Sequence, residues 1–257
     1  MKHLFERPID SITKTDVIDI LDGIMARGKP QAAINQLRNL KMLFNWLCDR
    51  DVMEVSPCDR VRRPARPVER DRVLDDSEVA AVWRATFHLD APYGEMYRMF
   101  LLTGQRRTEV ATLEWSEVKG DLWVIPRQKV KKDRAHAVPL SRTAGAILDE
   151  LRERPMFAGG TFAFSTTGGL SPSSNFCKVK REIDRLSGVT DWVIHDIRRT
   201  VRSKLAELGV PREVARKVLN HEDGKVDRIY NRHEYLAEKR EALERWERAL
   251  ISLTTKA

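Results

Sequence analysis

Apolar residues follow helical spacing over most of the chain. Between Thr15 and Arg27 they form one stripe, and Gly28 after it is a residue that commonly ends helices. A second stripe starts behind Pro30 and recurs at steps of three and four residues up to Leu47. Two consecutive stripes of this kind predict a pair of helices with a common buried face.

The pattern changes after residue 74. Asp75 followed by Glu78 is a variant of the capping box that starts helices. Two short runs, Leu122–Pro126 and His136–Leu140, are rich in strand-forming residues and flank a basic turn, which predicts a β-hairpin. Further helices are expected over residues 95–103, 141–154, 175–186 and most of the chain from residue 195 onward. The predicted fold is mainly α with a small β-sheet, of the α+β type.

Residues 61–73 interrupt these patterns. The segment holds two prolines and five arginines with little apolar content, which is typical of a linker. We therefore predict a short helical domain over residues 1–60, a basic linker over 61–73 and a larger domain over 74–257.

The net charge of +8 and the pI near 9.5 allow either an ordinary basic surface or a polyanion partner, most simply nucleic acid. With 42% hydrophobic residues the chain can form a core, and its three scattered cysteines form neither a disulfide framework nor a metal-ligand pattern. There is no secretory signal and no apolar run near ~20 residues. A cytoplasmic protein without membrane contact is expected.

Candidate chemistry concentrates in the C-terminal third. His195 and Arg198 stand three residues apart and share one helix face, where an imidazole and a guanidinium combine proton transfer with anion binding. His221 and Tyr230 follow, and the phenol of Tyr230 could act as a nucleophile. Upstream, Gly104 permits a sharp turn before Arg106, and helix N-termini favour anions.

These residues resemble the signature of tyrosine recombinases, the phage integrase family, in the type carried by prophages and genomic islands. Thr103-Gly104-Gln105-Arg106 with Glu109 is similar to the upstream Thr-Gly-x-Arg-x-x-Glu box, His195 to Arg198 to the His-x-x-Arg box, and Ile229-Tyr230-Asn231-Arg232 to the nucleophile box. The resemblance covers residues 75 to about 245 together with the preceding helix pair. It implies a core-type DNA-binding domain followed by an integrase-type catalytic domain.

The resemblance also implies a role for each residue. Tyr230 would attack a DNA phosphodiester and leave a 3′-phosphotyrosine and a free 5′-hydroxyl. Arg106 and Arg198 would clamp the phosphate, His221 would add a donor, and His195 would accept the tyrosine proton. Neither ATP, a metal nor another cofactor is expected. Arg107 is an alternative to Arg106, and Tyr235 is an alternative nucleophile.

A lysine on the hairpin turn would protonate the leaving 5′-oxygen. Counting back from Val138 selects Lys131, with Lys132 and Lys129 left open. Basic residues around the boxes, on the second helix and in the linker are expected to contact flanking DNA phosphates. The alternative is that their side chains are only solvated. These residues are Arg38, Lys41, Arg62, Arg63, Arg66, Lys132 and Arg199.

The implied partner is double-stranded DNA that carries recombination core sites. The protein is expected to bind paired sites as a tetramer and to be a monomer or weak oligomer without DNA. A bacterial or phage-encoded, nucleoid-associated protein is expected. The stripe of the C-terminal helix would pack either within the chain or on a neighbouring protomer.

Two departures from the family pattern stand out. Leu219-Asn220-His221 replaces the usual Leu-Gly-His. At the N-terminus, the arm-site DNA-binding domain of full-length relatives is expected to be missing, and the core-binding domain shows two clear helices where four are common, so a truncated or minimal form is expected. The competing hypotheses are a catalytically inactive DNA-binding remnant of a decayed integrase and a type IB topoisomerase.

Overall fold

The structure is a computed structural model that describes residues 6–67, 70–130, 134–154, 159–221 and 234–255. The chain divides into two compact units, residues 1–70 and 71–257. The division falls inside the segment predicted as a linker.

The first unit is built on the predicted helix pair, α1 (Lys14–Met25) and α2 (Pro30–Cys48). A capping box starts α1, because Thr13 and Asp16 each accept a hydrogen bond from the other's backbone N–H. The buried side chains of this unit come from the two stripes and from the segment that follows α2: Val17, Leu21, Ile24, Ala33, Leu37, Phe44, Leu47, Cys58 and Val61. Val61 belongs to this core, so the first residue of the predicted linker is part of the folded unit.

The second unit is mainly helical with one small sheet, as the sequence predicts. Its helices are α3 (Asp76–Thr86), α4 (Tyr93–Thr103), α5 (Arg107–Ala111), α6 (Arg142–Glu153), α7 (Phe176–Ser187), α8 (Ile194–Glu207), α9 (Arg212–Val218) and α10 (Leu236–Thr255). The predicted capping box at the start of α3 is present, with Asp75 as N-cap and Glu78 as its partner.

The sheet is antiparallel with strand order β1-β2-β3. Strands β2 (Leu122–Ile125) and β3 (His136–Pro139) are the predicted hairpin, with Trp123 opposite Val138. The third strand, β1 (Val118–Lys119), was not predicted. A two-residue strand is too short to show the alternation by which strands are recognised in a sequence.

Helix α4 lies at the centre of this unit, with every residue from Gly94 to Thr103 buried. The C-terminal helix α10 packs on it within the same chain: the side chains of Leu243, Trp246 and Leu250 are buried, and Trp246 Nε1 donates a 2.7 Å hydrogen bond to the backbone oxygen of Leu101. The stripe predicted on this helix therefore contributes to the core of its own chain. Among the described helices none is both long and apolar enough to cross a membrane.

Candidate active site

The site begins where α4 ends. Gly104 has φ +63°, a left-handed conformation that glycine adopts without strain. A Cβ atom at this position would come within 2.8 Å of the Leu219 side chain. Glycine therefore allows the turn after α4 to lie directly against the end of α9.

Arg106 follows this turn as the N-cap of α5. Its backbone N–H and its guanidinium both donate to the carboxylate of Glu109, at 2.8 and 2.7 Å. A further guanidinium nitrogen donates to the backbone oxygen of Asn220 at 3.3 Å. Arg107, the alternative considered from the sequence, instead lies 4.9 Å from the centre of the Phe176 ring. Arg106, not Arg107, contacts the segment that carries His221.

Arg198 reaches the same place from α8 and is only 3% exposed. One of its nitrogens donates to the backbone oxygen of Gly104 at 3.0 Å, and another donates to that of Leu219. Burial, and then the nearby charge of Arg106, lower the pKa of Arg198 to about 10. Two neighbouring guanidiniums with little access to water form a site that a bound anion would stabilise.

The two histidines of the signature lie beside these arginines. His221 follows α9, and burial, then the charges of Arg198 and Arg202, lower its pKa to about 4. His195 lies one turn before Arg198 on α8; its ring is exposed, and partial desolvation, then the charge of Arg199, lower its pKa. Near neutral pH both rings are uncharged, so each has one nitrogen that donates and one that accepts.

The end of α9 supplies three consecutive backbone oxygens to this cluster. The oxygen of Val218 accepts from the side chains of Gln105 and His136, that of Leu219 from Arg198 and that of Asn220 from Arg106. A helix C-terminus leaves its last carbonyls without helical partners and carries partial negative charge, which suits donors and cations. Sequence reasoning missed Gln105 and His136, because their partner is a backbone atom that no motif identifies.

His136 is 6% exposed, and its Nε2 lies 3.1 Å from the Val218 oxygen, so the neutral ring must carry its proton on Nε2. Burial, then the charge of Lys239, lower its pKa to about 3. Below pH ~6.5 the ring of His136 therefore binds a proton in the unfolded chain but stays neutral in the folded chain. The stabilising effect of neutral His136 is complete above that pH and is lost on acidification.

We expect His136→Gln, which retains a donor but cannot titrate, to lose less stability on acidification than the wild type. Between pH 7 and pH 5 the difference should be about 2 kcal/mol in the free energy of unfolding. Urea unfolding at a series of pH values measures it. Parallel curves for the two proteins would contradict the proposed origin of the acid sensitivity.

Asn220 has φ +46°, and its side-chain Nδ2 is buried without a hydrogen-bond partner among the residues that the structure describes. Both features cost free energy. We expect Asn220→Gly to raise the free energy of unfolding by roughly 0.5–1 kcal/mol. Asn220→Val should lower it by about 1–2 kcal/mol, because a β-branched residue resists a left-handed backbone. A loss of stability in Asn220→Gly, measured by urea unfolding, would show that the amide stabilises the fold.

Several predicted residues lie outside the described part of the chain: Lys131, Lys132 and Tyr230. Two of the alternatives are described and have structural partners. Lys129 Nζ pairs with Glu114 at 2.8 Å and with Glu117, and the Tyr235 hydroxyl donates to Glu213 at 2.6 Å. These contacts give Lys129 and Tyr235 structural roles, and the assignments to Lys131 and Tyr230 stay predictions.

The predicted DNA contacts differ in their surroundings. Arg38 and Lys41 are exposed on α2, and the side chains of the arginines in the linker are exposed as well: Arg62, Arg63 and Arg66. Arg199 is half-buried and pairs with Asp196 at 2.6 Å. The first five are free to meet a phosphate backbone without leaving a buried position.

The fold and the cluster of two arginines and two uncharged histidines define the class to which the protein belongs. The chain belongs to the phage integrase family, whose sequence model matches residues 72–236. This match confirms the resemblance seen in the sequence boxes.

Two relatives illustrate the membership. The prophage integrase IntA of Escherichia coli K12 is 34% identical over 151 residues, which is 57% of this chain and 36% of the relative. A XerC-like tyrosine recombinase of Caldanaerobacter subterraneus is 24% identical and aligns with 85% of this chain and 66% of its own. The chain thus spans from about a third to about two thirds of the length of these curated relatives.

Solved structures show the same fold. A λ integrase dimer (residues 75–356) bound to a COC′ core site superposes with a TM-score of 0.64 at 20% identity, covering 86% of this chain and 83% of that one. A λ integrase tetramer bound to a Holliday junction gives a TM-score of 0.65 at 19% identity, covering 85% and 66%. The predicted mainly helical fold with a small sheet is confirmed.

Proposed function

We propose that the protein is a site-specific DNA recombinase that cuts and rejoins DNA through a 3′-phosphotyrosine intermediate. The observation that carries the proposal is the convergence of Arg106 and Arg198 on the Leu219–Asn220 backbone, directly before His221. Residues from three distant segments of the chain meet there, and two neighbouring guanidiniums favour an anionic ligand. The proposed chemistry, DNA cleavage and rejoining through a phosphotyrosine, follows from membership of the phage integrase family.

In the proposed reaction the Tyr230 oxygen forms a bond to phosphorus while the bond from phosphorus to the 5′-oxygen breaks. The Tyr230 proton passes to His195, and the depressed pKa of His195 means that the ring is neutral and able to accept it. Lys131 gives its proton to the leaving 5′-oxygen. A 5′-hydroxyl of a second strand reverses these steps, so the bond energy is conserved and neither ATP nor a metal takes part.

The charge that develops on the non-bridging oxygens would be met by Arg106, Arg198 and His221. A preorganised donor of this kind typically contributes about a hundredfold or more in rate. Glu109 is 1% exposed and holds both the backbone and the guanidinium of Arg106. The clamp is therefore oriented before the phosphate binds, which is the condition for a donor to act in this way.

The proposed partner is double-stranded DNA with recombination core sites. Support comes from the λ integrase structures, one bound to a core site and one a tetramer on a Holliday junction. We propose the same tetrameric assembly on paired sites for this protein, with a monomer or weak oligomer in the absence of DNA. The protein would act on DNA in the cytoplasm, at the nucleoid.

The exposed basic residues Arg38, Lys41, Arg62, Arg63 and Arg66 are proposed to bind the DNA backbone, together with Lys132 and Arg199. Each phosphate contact adds about 0.9 to the slope of log affinity against log salt concentration. We expect the double variant Arg62→Ala, Arg63→Ala to bind more weakly and to reduce this slope by about 2, as measured by fluorescence anisotropy with duplex DNA. If the slope of log affinity against log salt concentration stays unchanged, these arginines do not contact DNA phosphates.

The proposed function is tested with a labelled duplex that carries candidate core sequence from the flanking genome and a nick beside the scissile phosphate. Cleavage then releases a short fragment that carries the free 5′-hydroxyl, and its loss by diffusion traps the covalent species. We expect an adduct that survives denaturant and is removed by protease. DNA binding without an adduct on several candidate sites would instead indicate an inactive remnant, and relaxation of any supercoiled plasmid would indicate a topoisomerase.

A further inference from the structure

We propose that Gln105 is a positioning residue for the proposed recombinase reaction, and that it couples the turn presenting Arg106 to the turn presenting His221. The inference rests on the proposed function. Gln105 stands directly before Arg106 in the chain and is 3% exposed. Its side chain lies inside the protein and holds two helix ends together.

The Gln105 amide donates both of its hydrogens to helix ends. Nε2 lies 2.9 Å from the backbone oxygen of Thr103, the last residue of α4, and 2.9 Å from that of Val218, the last residue of α9. Carbonyls at a helix C-terminus have no helical partner and need an external donor when buried. A single amide group thus donates a hydrogen bond to the last backbone oxygen of each helix.

The two helix ends lead directly to the proposed phosphate-binding residues. Arg106 stands three residues after Thr103, and His221 stands three residues after Val218. Between them the oxygens of Leu219 and Asn220 receive Arg198 and Arg106. A shift of the α9 end would therefore move His221 and the acceptors of both guanidiniums together.

The site requires a side chain with two donors and no charge. Both of its partners are acceptors, so the NH₂ group must face them, and Gln105 Oε1 is left buried without a hydrogen-bond partner among the described residues. A carboxylate would meet two carbonyl oxygens with no proton to donate. A lysine would add a third cation beside Arg106 and Arg198. Glutamine alone among residues of this length meets both requirements.

His136 is the second donor on the Val218 oxygen, at 3.1 Å, so loss of Gln105 leaves that oxygen with a partner. The protein should therefore still fold without the amide. What it loses is the hydrogen-bonded bridge of the amide between the Thr103 and Val218 oxygens. Because misplacement by about 1 Å can cost about a hundredfold in rate, the effect should appear in the chemical step.

The test uses Gln105→Met, which keeps the length and volume of the side chain and removes both donors. On the nicked core-site duplex, at saturating protein, we expect the single-turnover rate of adduct formation to fall about tenfold to a hundredfold. The dissociation constant for the same duplex should stay within about twofold of the wild type. An unchanged rate overturns the positioning role.

Ser165→Ala is the matched control. It removes a fully buried hydroxyl that accepts hydrogen bonds from Thr167 N at 3.1 Å and Gly169 N at 3.0 Å. None of the hydrogen bonds that the structure describes for the Val218, Leu219 and Asn220 oxygens comes from this loop. We expect it to lower the melting temperature without changing the adduct rate. An equal loss of rate in both variants would reduce Gln105 to a general packing role.

A double-mutant cycle provides a readout that a structural role would not affect. If Gln105 acts in part through His221, the loss of rate caused by Gln105→Met should be at least about threefold smaller in the His221→Ala background than in the wild type. The same loss in both backgrounds overturns the coupling. If Gln105→Met melts below the assay temperature, Gln105→Asn decides in the same way, because its shorter amide reaches at most one of the two carbonyls.

Failure of the proposed function would look different. Wild-type protein that forms no adduct overturns the recombinase assignment, and the positioning role with it. Wild-type protein that forms the adduct as fast as Gln105→Met overturns the positioning role alone.

Discussion

Tyr230→Phe is expected to bind core-site DNA with unchanged affinity and to form no covalent adduct. The substitution removes one oxygen, the atom proposed to bond to phosphorus, and leaves the ring. Loss of a nucleophile typically costs roughly 10⁴-fold or more in rate, so no band should be seen on a denaturing gel with the nicked duplex. Anisotropy with the same duplex checks that binding survives.

Tyr235→Phe is the control. Its hydroxyl donates to Glu213 at 2.6 Å, and its ring lies 5.6 Å from Lys217 Nζ, so it has a structural place beside α9. We expect this variant to lose some stability and to keep its adduct. An adduct that persists in Tyr230→Phe and disappears in Tyr235→Phe would transfer the nucleophile to Tyr235.

Arg198→Lys is expected to lose about 10²–10³-fold in the rate of adduct formation. Lysine keeps the charge but not the planar fork that meets two oxygens at once. It also cannot reproduce the two bonds by which Arg198 holds the oxygens of Gly104 and Leu219. We therefore expect the free energy of unfolding to fall by about 1–3 kcal/mol as well.

Arg199→Lys is its matched control, one residue along the same helix. Arg199 is partly exposed and pairs with Asp196 at 2.6 Å, an interaction that a lysine can retain in part. Its adduct rate should stay within about threefold of the wild type, and its DNA affinity should remain salt-dependent. Single-turnover rates of adduct formation, measured for both variants at saturating protein, test this expectation. Equal losses would mean that Arg198 has no special place at the phosphate.

The fold was predictable where interactions are local. Helices α1 and α2 follow from the spacing of apolar residues and from Gly28, and the start of α3 follows from Asp75 and Glu78, only three residues apart. The β2–β3 hairpin follows from two strand-forming runs around a turn. Strand β1 escaped prediction because its pairing, and not its own sequence, defines it.

The sequence by itself determined the composition of the candidate site. Arg106, His195, Arg198 and His221 were predicted from the resemblance of their boxes to the family's, and the structure places the four residues in one cluster. Their roles stay predictions. Tyr230 and Lys131 stay predictions, because both lie outside the residues that the structure describes.

The tertiary structure separated Arg106, which the sequence favoured, from the alternative Arg107, and it alone showed what holds the cluster together. Arg106 and Arg107 are adjacent and chemically identical, and only packing sends one to Asn220 and the other to Phe176. The role of Gln105 likewise depends on the Val218 oxygen, 113 residues away. Every residue carries the same backbone oxygen, so a sequence cannot show which of these oxygens a side chain will contact. Folding, and not residue type, brings such partners together, and only the tertiary structure shows them.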